Sequence, residues 1–154
     1  MNWESPLWRL FTLAILVLPR AGCIGRVPPQ TATAQAEDRP CTILQKDGPC
    51  VYHTSLVDLI ANPARWNGKR VIVDGFMHLE FEGNAIYVSE QDCRHFITKN
   101  GVWVDFREGS YGEAQALNDH YVRVQGTFDS KQRGHLGLWS GTLDDIDRTL
   151  QLPP

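Results

Sequence analysis

The chain has 154 residues, of which 42% are hydrophobic and 21% are charged, and its formal net charge is −3. This length allows one domain with a substantial core and is too short for two ordinary domains. The composition excludes a largely disordered chain. The acidic balance argues against a nucleic-acid partner, because non-specific affinity for phosphate backbones comes mainly from clustered Lys and Arg.

The N-terminal residues predict a secretory signal peptide. An apolar run at residues 10–18 follows Arg9 and ends at Pro19-Arg20, which is the layout of a signal with a short apolar core. Such a run makes about 14 Å of helix, roughly half of the hydrocarbon thickness of a bilayer. We therefore expect residues 1–23 to direct export rather than to span a membrane. The alternative is a buried N-terminal helix of the core.

The end of this segment, Ala21-Gly22-Cys23, resembles the bacterial lipobox, whose Cys becomes the lipidated first residue of the mature chain. Arg20 departs from that pattern, which prefers Leu at this position. Two outcomes stay open: a lipoprotein held at a membrane only through Cys23, or cleavage nearby with release into the periplasm or the medium. In either case the mature protein remains acidic, with 13 Lys and Arg against 17 Asp and Glu.

A flexible linker is predicted at residues 24–50, because residues 24–40 are rich in Pro, Ala, Thr and Gln and poor in large apolar side chains. Cys41 and Cys50 flank an Asp-Gly-Pro turn sequence, so we expect a local disulfide between them. Cys93 is then left over, either buried and inert or paired with another cysteine. A zinc site is the weaker interpretation, because the sequence has no C-x-x-C pair.

The remaining sequence predicts a mainly β domain, because apolar and polar residues alternate with period two between Gly and Asn turns. A short helix at residues 55–61 ends at Asn62-Pro63, and Trp66 is expected in the core. The predicted strands span residues 69–81, 85–89, 101–106, 120–128 and 135–143, with an irregular segment at 90–100 and a helical insert at 113–117.

A V-x-V-x-G signature occurs twice, at residues 71–75 and 122–126, with a constant offset of 51 residues. Gly75 interrupts the first predicted strand, where a glycine commonly marks a bulge or a sharp bend at a barrel corner. Two copies suggest pseudo-symmetric corners of a closed sheet rather than a solenoid, which needs more repeats.

Five predicted strands, the bend glycine, the helical insert and the repeated signature together resemble the OB-fold over residues 51–150. The chain also resembles small exported bacterial proteins with such a barrel, a likeness that implies no activity. The OB-fold implies a closed or partly open five-stranded barrel. Its ligands bind across strands two and three, between the loop joining strands one and two and the loop joining strands four and five.

This resemblance selects six candidate ligand-binding residues: Phe81, Tyr87 and Trp103 for stacking, and Lys131, Arg133 and His135 for polar contacts. The alternative for each aromatic residue is ordinary packing in the core.

Two groups of residues suggest chemistry. His78, Glu80 and Glu82 alternate, so a regular strand would present all three on one face as weak candidate ligands for zinc or manganese. A solvated outer face of a strand gives the same alternation. Cys93 lies two residues before His95, but a nucleophile and its base normally come from distant segments. The sequence contains no P-loop, G-x-S-x-G, H-E-x-x-H or G-x-G-x-x-G motif.

We therefore expect an exported, non-catalytic binding module that presents one barrel face to a protein or an envelope glycan and needs no cofactor. Two alternatives stay open. One is a periplasmic binder of nucleic acid or another polyanion that uses the three polar candidates, and its affinity would fall steeply with salt. The other is a metal-dependent hydrolase built on His78 and the two glutamates.

Overall fold

The computed structural model describes residues 41–42, 48–107 and 109–154. The strands are β1 (Val51–His53), β2 (Arg70–His78), β3 (Ala85–Tyr87), β4 (Gly101–Val104), β5 (His120–Asp129) and β6 (Thr142–Gln151). The helices are α1 (Leu56–Ala61), α2 (Pro63–Trp66), α3 (Glu90–Arg94) and α4 (Tyr111–Gln115), with 3-10 helices at Thr98–Asn100 and His135–Gly137. The predicted signal peptide, Cys23 and most of the predicted linker lie outside the described residues.

Five strands form a closed barrel. Neighbouring strands follow the order β2-β3-β4-β6-β5, and β5 pairs with β2 to close the ring. The β4–β6 pair is parallel and the other pairs of the ring are antiparallel. This arrangement confirms the predicted mainly β, five-stranded barrel and is compatible with an OB-like fold. The additional strand β1, which pairs in parallel with the first residues of β2, was not predicted.

The two V-x-V-x-G signatures pair with each other in the antiparallel ladder of β2 and β5. The register places Val71 opposite Gly126, Val73 opposite Val124 and Gly75 opposite Val122. All four valine side chains are buried. The repeat therefore reflects two strands that share one seam of the barrel.

Gly75 allows β2 to pass close to its neighbours. A Cβ atom at this position would lie 2.5 Å from Leu56 Cδ1 and 2.6 Å from the carbonyl oxygen of Tyr87. At the equivalent Gly126, a Cβ atom would lie 2.8 Å from the carbonyl oxygen of Asp144, and the β5–β6 register shifts at this point. Both glycines thus serve close backbone approach, as a bend or bulge in a small barrel requires.

The barrel interior holds one main hydrophobic cluster, against which the helices pack. Trp66 is 1% exposed, as predicted for a core residue, and Leu56 and Leu59 of α1 belong to the same cluster. Helix α1 begins at Ser55, whose side chain accepts a hydrogen bond from the backbone N–H of Asp58. No helix among the described residues is both long enough and apolar enough to cross a bilayer.

The predicted position of the last strand is wrong. Residues 135–137 form a 3-10 helix, and the strand begins at Thr142 and continues to Gln151. Gly134, Leu136 and Gly137 all have positive φ angles, which an extended strand cannot accommodate. Residues 135–138 therefore belong to a loop in which Leu136 is 80% exposed, whereas Trp139 is buried.

The segment at residues 90–100, predicted to be irregular, contains α3 and a 3-10 helix. Ser89 begins α3 by accepting a hydrogen bond from the backbone N–H of Asp92. This Ser-x-x-Asp start was not recognised in the sequence because the helix has only five residues and buries none of them.

Cys41 and Cys50 form a disulfide with a Cα–Cα distance of 5.5 Å. The backbone N–H of Thr42 donates to the carbonyl of Val51, and the Thr42 hydroxyl accepts from the N–H of His53. These bonds hold the end of the predicted linker against β1. Cys93 has no disulfide partner in the described part of the chain.

Candidate functional site

The candidate site lies on the outer surface of β4 and β6. Val102 and Val104 of β4 and Leu143 of β6 are fully buried, so the alternate residues of both strands face outward. Trp103 pairs with Thr142 across the parallel ladder. Four side chains therefore share this outer surface: Trp103, Asp105, Thr142 and Asp144.

Two loops border this surface. The loop at residues 79–84 joins β2 to β3, and the loop at residues 130–141 joins β5 to β6. Nε2 of His135 in the second loop lies 3.4 Å from Oε2 of Glu82 in the first. The loops and strands enclose a cleft of about 590 Å³, lined by Glu82, Asn84, Trp103, Asp105, Gln132, Gly134, His135, Thr142 and Asp144.

The Trp103 ring forms one wall of the cleft and is fixed by the 130–141 loop. Its centroid lies 4.9 Å from that of Trp139, with an interplanar angle of 69°. Gly134 packs directly on the ring, because a Cβ atom there would lie 2.5 Å from Trp103 Cε3. Gly134 also has φ 62° and ψ −161°, a conformation that only glycine adopts readily. The loop therefore holds an aromatic face in place beside the acidic strands.

The floor of the cleft carries acidic side chains that no Lys or Arg of the lining balances. Burial, followed by the charges of Asp145, Asp129 and Asp105, raises the pKa of Asp144. Asp144 Oδ1 is buried and has no hydrogen-bond partner in the described structure. Thr142, only 5% exposed, likewise has a buried hydroxyl with no protein partner. No Lys or Arg is among the residues that line the cleft.

Two of the six predicted ligand-binding residues, Trp103 and His135, line the cleft. Phe81 is 91% exposed and is adjacent to Glu82 in the 79–84 loop. Lys131 and Arg133 are exposed in the 130–141 loop but do not line the cleft. Of the six predicted residues, the structure therefore brings only these two together in the cleft.

Tyr87 is 3% exposed and cannot stack on a ligand without rearrangement, which corrects its selection as a stacking residue. It belongs to a small buried cluster with Ala85 and Trp139, against which Cys93 packs. Burial raises the pKa of its hydroxyl group. Tyr87 is buried because the 130–141 loop places Trp139 over this face of β3. A β-strand at residues 135–143 would have left the face open.

Sequence reasoning missed Asp105, Thr142 and Asp144 as cleft residues. Asp105 was recognisable, because it alternates with Trp103 in the sequence GVWVDF. Thr142 and Asp144 were hidden by the wrong limits of the last strand. Only the observed register of β4 with β6 brings them beside the tryptophan.

The three candidate metal ligands do not share one face, because β2 ends at His78 and Glu82 lies in a turn with φ 59°. His78 Nδ1 lies 2.5 Å from Asp119 Oδ1, whereas its Nε2 atom lies 3.6 Å from Glu80 Oε2. The carboxylates of Asp119 and Glu80 therefore lie at different nitrogen atoms, on opposite sides of the imidazole ring. Within the described ranges, no three His, Cys, Asp or Glu side chains come together as a metal site.

Cys93 has the electrostatics of an unreactive thiol. Burial, together with the negative charges of Asp119, Glu80 and Glu90, raises its pKa. A reactive cysteine has the opposite environment, in which positive charge stabilises the thiolate. Its neighbour in sequence, His95, is exposed and ends α3.

The chain matches no protein-family model, and no curated protein is detectably similar to it.

Proposed function

We propose that the protein is an exported, non-catalytic binding module whose ligand, a segment of a protein or of an envelope glycan, occupies the Trp103 cleft. The observation that carries the proposal is the position of the cleft. It lies beside β4, the third strand of the barrel, and between the two loops that also border the ligand face of OB-folds. Export is supported by the apolar run at residues 10–18 and its flanking charges.

The lining of the cleft supports binding by contact. A concave site with a rigid aromatic wall and a few polar groups is the usual form of a ligand site. Trp103 offers a flat surface on which sugar rings, planar cations or aliphatic chains can pack. Asn84 and Gln132 add amide groups that donate and accept hydrogen bonds.

The same lining supports the absence of catalysis. Thr142 carries the only hydroxyl group among the lining residues, and no side chain accepts its proton, so it lacks the base that activates a nucleophile. The imidazole of His135 is engaged by Glu82 rather than by a nucleophile.

The acidic floor favours this proposal over the polyanion alternative. Phosphate and sulfate groups would be repelled by Asp105 and Asp144. Lys131 and Arg133 are on one of the bordering loops but do not line the cleft. A polyanion binder would lose affinity steeply with salt, whereas binding of neutral sugars or apolar chains would change little.

The proposal is tested by following the indole N–H resonances of the ¹⁵N-labelled chain during titration. The ligands are an N-acetylglucosamine tetramer and short peptides of neutral, basic and acidic composition. We expect a saturable shift of the Trp103 resonance, with Trp66 in the core as the internal control. Trp103→Phe assigns the signal. The proposal is contradicted if all these ligands leave Trp103 unmoved, or if a ligand is chemically converted.

A further inference from the structure

We propose that the cleft binds a basic side chain of a protein partner, with the guanidinium of arginine as the best fit. This inference rests on the proposed function and specifies its ligand. It follows from four features of the cleft: its uncompensated carboxylates, its unpartnered buried oxygens, its tryptophan wall and its apolar rim.

The carboxylates set the sign of the ligand charge. Glu82 is already paired with His135, but Asp105 and Asp144 have no cation among the lining residues. Asp129 and Asp145, which flank Asp144, add to the negative potential there. Asp145 also pairs with Arg107, which reduces its contribution, but Arg107 does not line the cleft. A cationic group entering the cleft would gain Coulombic energy in a partly desolvated site.

The unpartnered oxygens of Thr142 and Asp144 can accept hydrogen bonds from a ligand that carries donors. Thr142 is only 5% exposed, it lines the cleft, and its buried hydroxyl has no protein partner. Asp144, two residues further along β6, also has a buried carboxylate oxygen, Oδ1, without a partner. A buried acceptor without a donor is unfavourable, because it has lost its hydrogen bonds to water without a replacement. A guanidinium group carries five N–H donors in one plane and can donate to more than one acceptor at once.

The aromatic wall suits a planar organic cation. Trp is the strongest partner for cations over an aromatic face, and guanidinium both stacks on the ring and is more weakly hydrated than ammonium. Gly134 and Trp139 hold the Trp103 ring in position before any ligand arrives. A preformed wall reduces the entropy lost on binding.

The size and rim of the cleft select a peptide rather than a metal ion or an amino sugar. A volume of about 590 Å³ far exceeds a bare ion, and the described acidic groups do not converge as metal ligands. Each bordering loop exposes a large apolar side chain, Phe81 at 91% and Leu136 at 80%. These side chains suit apolar residues that flank the basic residue of an extended partner segment.

The test uses two capped peptides, Leu-Arg-Leu and Leu-citrulline-Leu, titrated calorimetrically into the intact chain. Citrulline keeps the shape of arginine and removes its charge. We expect the arginine peptide to bind at least tenfold more tightly. Asp144→Asn should weaken the arginine peptide at least tenfold and leave the citrulline peptide unchanged.

Asp74→Asn is the matched control. It removes one carboxylate from a strand of the same barrel, at a position that does not line the cleft and is already paired with Arg123. We expect it to leave the affinity of both peptides within twofold of the original chain. Trp103→Leu should weaken both peptides, because it removes the stacking surface that they share.

Four outcomes would overturn the inference: no binding of the arginine peptide at millimolar concentration, equal binding of both peptides, an unchanged affinity in Asp144→Asn, or tighter binding of a glucosamine tetramer than of the arginine peptide. If a neutral or sugar ligand nevertheless shifts the Trp103 indole resonance, the site stands and only its ligand class is wrong. If nothing shifts that resonance, the proposed function fails as well.

Discussion

A carboxylate on the seam of β2 and β5 and a carboxylate in the cleft on β4 and β6 have opposite environments. On the seam, Asp74 accepts two hydrogen bonds from Arg123, with N–O distances of 2.7 and 2.8 Å, and these bonds lower its pKa. In the cleft, Asp144 faces other acids, has one buried oxygen without a partner, and has a raised pKa. The first arrangement serves the fold, and the second is what a site for an external cation requires.

The paired carboxylate of Asp74 stabilises the barrel, whereas the unpaired carboxylate of Asp144 destabilises it. A bidentate Arg–carboxylate pair on a partly exposed surface contributes about 1 kcal/mol at most, since solvent screens it. An unpaired carboxylate beside like charges is unfavourable for folding by a similar order of magnitude. Proteins commonly accept such a cost at a functional site.

The largest effect is expected at the seam itself, from Gly75→Ala. The new methyl group would meet the carbonyl oxygen of Tyr87 at 2.6 Å, and backbone cannot move aside as a flexible side chain can. We expect a loss of about 3 kcal/mol in the free energy of unfolding, measured by urea denaturation.

Gly112→Ala in α4 is the matched control, because a Cβ atom there has nothing within 4 Å. This change should be neutral or stabilise by about 0.5 kcal/mol, since alanine favours helix. Equal effects of the two alanines would show that close approach at Gly75 does not shape the barrel.

A medium effect is expected from Asp74→Asn, about 1 kcal/mol of destabilisation at pH 7. The pKa of Asp74 is lowered in the folded state, chiefly by the hydrogen bonds from Arg123 and also by the charge of His53. Its contribution is therefore complete above the unfolded-state pKa, near 3.9, and is lost as the pH falls through the lower folded-state value. The difference between the two proteins should shrink in that acidic range, and a constant difference down to pH 2 would contradict the pairing.

The smallest effect, with the opposite sign, is expected from Asp144→Asn, which should stabilise the chain by about 0.5 kcal/mol at pH 7. Because the pKa of Asp144 is raised on folding, the folded state binds the proton more tightly than the unfolded state does. Ionisation therefore costs stability as the pH rises from the unfolded-state pKa through the higher folded-state value. The gain should be absent in acid and complete near neutrality. A loss of stability at pH 7 would mean that Asp144 is satisfied within the fold.

Much of the barrel could be predicted from sequence, whereas the cleft could be predicted only in part. Period-two alternation located β2, β3, β4 and β5, although β3 and parts of β2 are buried on both faces. The limits of the last strand were predicted wrongly because β6 is rich in charged residues and is exposed along much of its length. The apolar Leu136 and Leu138 gave this segment the sequence pattern of a strand. It is a loop, because the positive φ angles of Gly134, Leu136 and Gly137 turn the backbone out of the extended conformation.

The cleft depends on contacts between distant segments, which local patterns do not encode. Trp103 and Asp105 could be placed on one outward face from their spacing alone. Their neighbours Thr142 and Asp144 depend on a parallel pairing of β4 with β6 across almost forty residues of chain, for which the sequence carries no local signal. The burial of Tyr87 could not be predicted for the same reason, because Trp139, which packs with it, belongs to the loop at residues 130–141.

The most direct test of the account is the shift in melting temperature that a saturating arginine peptide produces in the original chain, Asp74→Asn and Asp144→Asn. Ligand at a hundredfold excess over its dissociation constant adds about 2.7 kcal/mol to the folded state. We predict a clear rise in the original chain and in Asp74→Asn, and almost none in Asp144→Asn, although that variant starts from the highest melting temperature. Equal rises in all three proteins, or none in any, would contradict the claim that the Trp103 cleft is a site for a basic side chain.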